Sequence, residues 1–147
     1  MKMINGIEDI EKRYDEYNKL YFDGKLGKCT FHFFPKNSSN YGWYNGRASK
    51  DGTVINHIWI GTCIEWTDEK LKQILIHEMI HMYNRTIDNR KHLGLGLLGH
   101  GRLFRKQCRR LKRDYGIGIE KHPNWGYINQ EMNPKTWERI LLTLIDW

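Results

Sequence analysis

The chain has few cysteines, and none of them are paired in a recognisable motif. Its 147 residues include three, Cys29, Cys63 and Cys108, which are far apart and form no CxxC pair. Disulfide frameworks and cysteine-ligated zinc modules both need paired cysteines. We therefore expect neither a disulfide scaffold nor a C-terminal zinc ribbon. A reducing compartment suits these thiols, so we expect the cytoplasm, with association to the nucleoid compatible with it.

Long apolar runs are also missing. No stretch approaches the roughly 18 apolar residues of a membrane span, and the N-terminal MKMINGIEDIEKR lacks the apolar core of a signal peptide. We expect a protein that is neither membrane-bound nor secreted. Its length and its 39% hydrophobic residues predict a single domain, 1–147, with one modest core, and we expect a monomer.

Acidic residues are absent between His100 and Arg113, where seven Lys and Arg occur. The whole chain has 24 basic and 17 acidic residues and a net charge of +7, so this segment accounts for the entire excess. Its basic residues recur at helical spacing, which predicts one continuous helix face that binds phosphates without sequence preference. The alternative is a solvated helix face. The predicted DNA-binding residues of this face are Arg102, Arg105, Lys106, Arg109, Arg110 and Arg113.

Aromatic residues stand in the polar segment 37–49. Tyr41, Trp43 and Tyr44 could stack on the bases of a single strand. The alternative is that they pack at the edge of a sheet. With the basic helix, they predict a DNA partner that is single-stranded or has exposed strands.

What the sequence does contain is the pentapeptide HEMIH at residues 77–81. On a helix, residues four apart lie one turn above each other, so His77 and His81 can bind one zinc ion. Glu78 then lies beside the metal, where it can take a proton from zinc-activated water. Thr67 is a suitable N-cap for a half-buried helix from 68 to about 85. The motif predicts a hydrolytic zinc site.

A catalytic zinc site usually has a third protein ligand. Position 87 is Ile, which excludes the extended HExxHxxGxxH motif of the metzincins. His100 begins a helix on the side of its apolar residues, and its flanking glycines permit close approach of neighbouring elements, so we prefer His100. The alternative third ligands are His92, Glu120, Glu131 and Glu138. We expect ordinary structural roles for the remaining histidines, His32, His57 and His122.

The segment 94–99 fits the pattern GxGxxG, but a metal-site helix rather than a strand precedes it. A dinucleotide site requires a strand there. These glycines therefore predict a flexible connector between the second histidine and the third ligand.

The remaining patterns predict an α+β fold. Helical periodicity covers residues 6–22, 68–85, 100–115 and about 134–145. Strands are predicted at 29–35, within 37–49 and at 53–62. The strands are clustered and joined by short turns, so we expect helices packed on a small antiparallel sheet of about three strands.

The HEMIH motif, followed by Gly99-His100-Gly101 and Phe104, resembles the SprT-like metalloproteases, a family that includes a eukaryotic DNA–protein crosslink protease. Residues 17–26, YNKLYFDGKL, are similar to the helix end and turn before the family's small sheet, so the similarity spans roughly 5–120. The resemblance implies a zincin-like fold in which His77, His81 and His100 bind one catalytic Zn²⁺ and Glu78 is the general base. Members often carry a C-terminal zinc ribbon that contacts DNA, and this chain lacks the cysteines for one.

The resulting hypothesis is a zinc-dependent endopeptidase acting on DNA-associated or DNA-crosslinked proteins. Two alternatives remain: a regulator-cleaving zincin peptidase with an acidic third ligand, and a non-catalytic basic DNA-binding protein with a structural zinc. For the peptidase, candidate donors to the oxyanion are Tyr83, Tyr115 and Tyr127.

Overall fold

The structure, a computed structural model, describes residues 6–88 and 100–128. It confirms the α+β class. None of the described helices is long and apolar enough to cross a membrane. Predictions for His92, Glu131, Glu138, the glycines before His100 and a helix at 134–145 lie outside the described residues. The elements are α1 (Ile7–Tyr21), β1 (Cys29–Phe33), β2 (Gly42–Ala48), β3 (Val54–Ile60), α2 (Asp68–Tyr83), a π-helical turn (Asn84–Asp88) and α3 (Arg102–Tyr115).

The three strands form one sheet in the order β1-β3-β2. The β2–β3 pair is an antiparallel hairpin, whereas β1 pairs with β3 in parallel. The expected purely antiparallel sheet is therefore wrong for one of its two pairs, and the sheet is mixed. The physical reason is that residues 34–41 carry the chain from β1 to the far edge, and β3 then enters between the two earlier strands.

The central helix α2 is specified at its start by local capping. The Thr67 hydroxyl accepts a hydrogen bond from the Lys70 N–H at 3.1 Å, and Asp68 and Glu69 place negative charge in the first turn. Residues 74–82 are then buried without interruption. The helix expected to be half-buried is thus enclosed on all sides over its second half, which takes the HEMIH segment into the interior.

Helices α1 and α3 flank this centre. In α1, Tyr14 packs edge-on against Phe31 of β1 at 5.2 Å between ring centroids. In α3, the buried residues Phe104, Gln107 and Leu111 face inward. The helix ends at Gly116, whose φ of 71° is the left-handed cap that a glycine adopts without strain.

Residues 116–128, which we call the strap, follow α3 without regular structure. Gln73 of α2 donates a hydrogen bond to the Gly118 carbonyl. Tyr41 donates to the Gly126 carbonyl at 2.8 Å, and the Ile128 N–H donates to the Cys63 carbonyl at 2.8 Å. The strap is therefore fastened across α2 and the end of the sheet.

Candidate metal centre

Three histidines converge at the centre of the molecule. His77 and His81 lie one turn apart on α2, and His100 lies two residues before α3 begins. The Nε2 of His77 is 3.0 Å from that of His100 and 3.2 Å from that of His81. The His81 and His100 Nε2 atoms are also 3.2 Å apart. Nitrogen ligands of a tetrahedral zinc ion lie about 3.3 Å from each other, so the spacing fits one ion.

Hydrogen bonds among the three imidazoles cannot account for this triangle. Each Nε2 carries either a hydrogen or a lone pair. At least two of the three atoms are therefore both donors or both acceptors, and such a pair cannot form a hydrogen bond. A cation that accepts all three lone pairs removes this conflict. The donor set of three neutral imidazoles is also one that zinc prefers, so the residues present fit such an ion.

The strap fixes the tautomer of His77. The His77 Nδ1 donates a hydrogen bond to the main-chain carbonyl of Glu120, a residue of the strap, at 3.0 Å. The hydrogen of the neutral ring is therefore on Nδ1, and Nε2 presents its lone pair to the triangle. The Glu120 side chain is exposed. Among the described residues, the group able to hold a metal consists of His77, His81 and His100 without Glu120.

Phe104 backs all three imidazoles. Its ring centroid lies 4.9 Å from that of His77, 4.9 Å from that of His81 and 4.8 Å from that of His100. The side chain is fully buried. His100 lies just before α3 and Phe104 lies in its first turn, so one short segment supplies both a ring of the triangle and the support behind it.

Glu78 lies beside the triangle in the protein interior. The side chain is fully buried, and its Oε2 is 3.9 Å from the His77 Nε2. Gly42 of β2 packs directly against it: a Cβ at this position would lie 3.2 Å from the Glu78 Oε2 and 2.8 Å from the Ile74 Cγ1. The missing side chain at position 42 is what lets the strand approach the carboxylate so closely.

His122 is the histidine whose position the sequence did not indicate. An ordinary structural role was expected, but the strap places its ring 4.8 Å from that of His100 in an edge-on contact. No periodicity could have predicted this, because the strap is irregular and its course depends on hydrogen bonds made by its backbone.

The model of the SprT-like family matches residues 10–124. This chain belongs to the SprT-like family. The matched range contains the sheet, α2, α3 and all three histidines, and it gives the chain a metalloprotease-like domain of a kind generally associated with zinc. No curated protein matched the sequence.

The tyrosines considered as oxyanion donors in this SprT-like domain make aromatic packing contacts. Tyr83 lies 5.9 Å from Phe22 between ring centroids. Tyr115 lies 5.1 Å from Tyr21, and Tyr127 lies 5.6 Å from Tyr41. A catalytic role for any of the three stays a prediction.

The predicted DNA-binding residues of α3 divide into two groups in the SprT-like domain. Arg102, Arg105, Lys106, Arg109 and Arg113 are exposed, with Lys106 3.4 Å from Asp88. Arg110 is half-buried and donates to the Tyr21 carbonyl at 2.7 Å, with its guanidinium 5.4 Å from the ring centre of Phe22. Arg110 therefore ties α3 to the end of α1, and the other five form the exposed basic face. Binding of DNA by this face stays a prediction.

Of the aromatic residues predicted to stack on bases, Trp43 and Tyr44 lie in β2 and Tyr41 lies just before it. Tyr41 is 4% exposed, and burial raises its pKa. The Tyr44 hydroxyl donates to Asn56 at 2.6 Å, and burial raises its pKa as well. Both rings lie on the core side, with Tyr41 buried and Tyr44 half-buried, and base stacking by either of them stays a prediction. Trp43 alternates to the opposite face of the sheet.

Proposed function

We propose that this SprT-like domain is a zinc-dependent endopeptidase in which His77, His81 and His100 hold the ion and Glu78 is the general base. The observation that carries the proposal is the triangle of Nε2 atoms at 3.0–3.2 Å. An ion held there would supply Lewis acidity, which acidifies water and polarises the carbonyl of a peptide bond.

Glu78 performs the proton transfers in this proposal. Its carboxylate accepts a proton from water as the water oxygen attacks the carbonyl carbon of the peptide. It then gives that proton to the amide nitrogen as the C–N bond breaks, so that one carboxyl serves first as base and then as acid. The full burial of Glu78 and its position one residue after His77 support this role.

Two features hold the histidines for this chemistry. The Glu120 carbonyl keeps the His77 hydrogen on Nδ1, which leaves Nε2 available as a ligand. The Phe104 ring contacts all three imidazoles and limits their rotation. Such supporting contacts preserve ligand geometry and contribute about 10–100-fold to metal affinity.

We further propose that the substrates are proteins bound or crosslinked to DNA. The exposed basic face of α3 begins at Arg102, two residues after His100, and the helix is 14 residues or about 20 Å long. A nucleic-acid strand held along this face would bring an attached protein close to Glu78. The binding would be independent of sequence and would weaken with salt.

The test is cleavage of a DNA-binding protein by the zinc-loaded chain, with and without single-stranded DNA. Glu78→Gln is the control because it preserves shape and removes the base. We expect cleavage that needs Glu78 and is stimulated by DNA. A variant with Arg102, Arg105 and Arg109 all changed to Gln should lose the stimulation and keep DNA-free cleavage. Glu78-dependent cleavage that is indifferent to DNA would leave the peptidase standing and contradict the DNA-linked substrate.

A further inference from the structure

The face of the sheet turned away from α2 carries an aromatic cluster. In β3, Ile58 and Ile60 are buried toward the helices, so His57 and Trp59 point the other way. The strand register brings His32 of β1 opposite Trp59, and Trp43 of β2 is also opposite Trp59. We define the outer face by His32, Phe34, Trp43, Arg47, His57 and Trp59.

The described helices lie on the other side of the sheet. Helix α1 contacts β1, α2 contacts β2 and β3, and α3 contacts α2. The contacts of α1 and α2 are with inward-facing positions, such as Phe31 against Tyr14 and Gly42 against Ile74. A sheet covered by helices on one face normally has a polar second face. Here the middle of that second face is aromatic, so the core does not explain its composition.

The rings of the outer face stack on or tilt against each other at shallow angles. His32 stacks on Trp59 at 4.4 Å and 25°, and Phe34 lies 5.5 Å from Trp59 at 34°. The His32 Nε2 and His57 Nδ1 are 2.9 Å apart and hydrogen-bonded. All four side chains are half-buried, because they support one another while leaving part of their surface open.

The stretch of chain that forms the sheet carries more exposed basic residues than acidic ones. Between residues 28 and 63, Lys28, Lys36, Arg47 and Lys50 are exposed. The same stretch contains a single acid, Asp51, whose carboxylate accepts hydrogen bonds from Ser49 and Thr53 in the β2–β3 turn. Aromatic rings that stack bases, with cations around them that pair with phosphates, form the combination that binds single-stranded nucleic acid.

We propose that the outer face binds a single strand of nucleic acid, with bases stacked on Trp43 and Trp59 and phosphates near Arg47 and the exposed lysines between residues 28 and 63. This site is separate from the basic face of α3. It depends neither on zinc nor on Glu78, so it stands or fails apart from peptidase activity. Bases in a duplex are already stacked on each other, so the outer face prefers single strands to duplex.

The test measures the binding of short oligonucleotides to the full chain. Binding is monitored by the fluorescence anisotropy of the labelled strand and by the quenching of tryptophan emission. The probes are a thymidine oligonucleotide, an abasic strand with the same number of phosphates, a duplex and a uridine oligonucleotide. We expect the base-containing single strands to bind more tightly than the abasic strand and the duplex. Comparison of thymidine with uridine strands shows whether DNA or RNA is preferred.

The variants separate stacking from charge. Changing Trp43 and Trp59 together to Leu should weaken single-strand binding about tenfold or more and leave abasic-strand binding unchanged. Trp59→Phe should retain most of the affinity. Arg47→Glu should leave the aromatic packing intact. It should weaken the binding of every probe and lower the salt dependence of that binding. This variant therefore tests the outer face even if the double tryptophan variant fails to fold.

Three results would overturn the proposal. The first is equal affinity for thymidine and abasic strands. The second is unchanged binding in the Trp43 and Trp59 variant together with lost binding in the α3 variant, which would put the strand on α3 alone. The third is a wild-type dimer that the outer-face variants convert to monomer, which would assign the face to a second copy of this chain.

Discussion

The inner and outer faces of the sheet differ in what determines their residues. On the inner face, Gly42 lies against Glu78 and Ile74, and Tyr44 is hydrogen-bonded to the buried Asn56. Trp43 lies between Gly42 and Tyr44 in sequence, yet it is on the outer face, opposite Trp59. Neighbouring residues of β2 thus belong to two different surfaces. Packing dictates the inner face, whereas we attribute the half-buried aromatic residues of the outer face to the proposed binding of a nucleic-acid strand.

The largest difference between the faces should appear in stability, tested at two neighbouring positions of β3. Ile58 is fully buried, so Ile58→Ala should lower the free energy of unfolding by about 2–5 kcal/mol. Trp59→Thr removes a larger side chain, but its loss should be smaller because Trp59 is half-buried. Denaturant unfolding of both variants measures this. A greater loss for Trp59→Thr would mean that the outer face is part of the core.

A smaller effect is expected from adding one methyl group at Gly42. The new Cβ would lie 2.8 Å from the Ile74 Cγ1 and 3.2 Å from the Glu78 Oε2, so Gly42→Ala should cost about 1–3 kcal/mol by overpacking. It should also lower cleavage more than it lowers zinc binding, because it displaces Glu78 rather than the histidines.

Gly27→Ala is the matched control for this substitution, since a Cβ there meets nothing within 4 Å. Unfolding and cleavage assays on the two variants make the comparison. If Gly42→Ala leaves both stability and cleavage unchanged, the close approach of β2 to Glu78 is needed neither for the fold nor for the position of the carboxylate.

The smallest expected effect concerns the thiols. Burial raises the pKa of Cys29 to about 12 and the pKa of Cys63 and Cys108 to about 11. These thiols should therefore alkylate slowly at pH 8 and faster as the pH approaches 11. Because the unfolded thiols ionise near pH 9, their contribution to stability is present below that pH and is lost between about pH 9 and 12.

Mass spectrometry after timed alkylation, in native and denaturing buffer, measures these rates. If Cys29 reacts in native buffer as fast as in denaturing buffer at pH 8, β1 is not packed as described.

The sequence was informative where chemistry and periodicity coincide. HEMIH lies on one helix face, and the apolar residues after His100 indicate which way that histidine points, so the convergence of the three histidines could be predicted. The contact between Glu120 and His77 could not, because a main-chain carbonyl belongs to every residue type. The proximity of His122 depends on the irregular strap and was equally out of reach.

The errors have identifiable physical causes. Short turns indicate hairpins, and they do not reveal that a third strand enters between two earlier ones, so the sequence does not predict the parallel β1–β3 pair. The sequence predicts a strand within 37–49 without fixing its bounds, so the alternation of β2 does not emerge from the pattern. Tyr44 and Trp43 were therefore grouped together, although strand geometry puts them on opposite faces.

The proposed function depends on His77, His81 and His100 together holding one zinc ion. Zinc bound per chain should be measured for the purified wild type, His100→Ala and Glu78→Gln, with His92→Ala as the matched histidine control. We expect one ion per chain in the wild type, in Glu78→Gln and in His92→Ala, and little or none in His100→Ala. A full complement of zinc in His100→Ala would contradict this expectation and assign the third ligand to another residue, such as the carboxylate of a peptidase of a different zincin class.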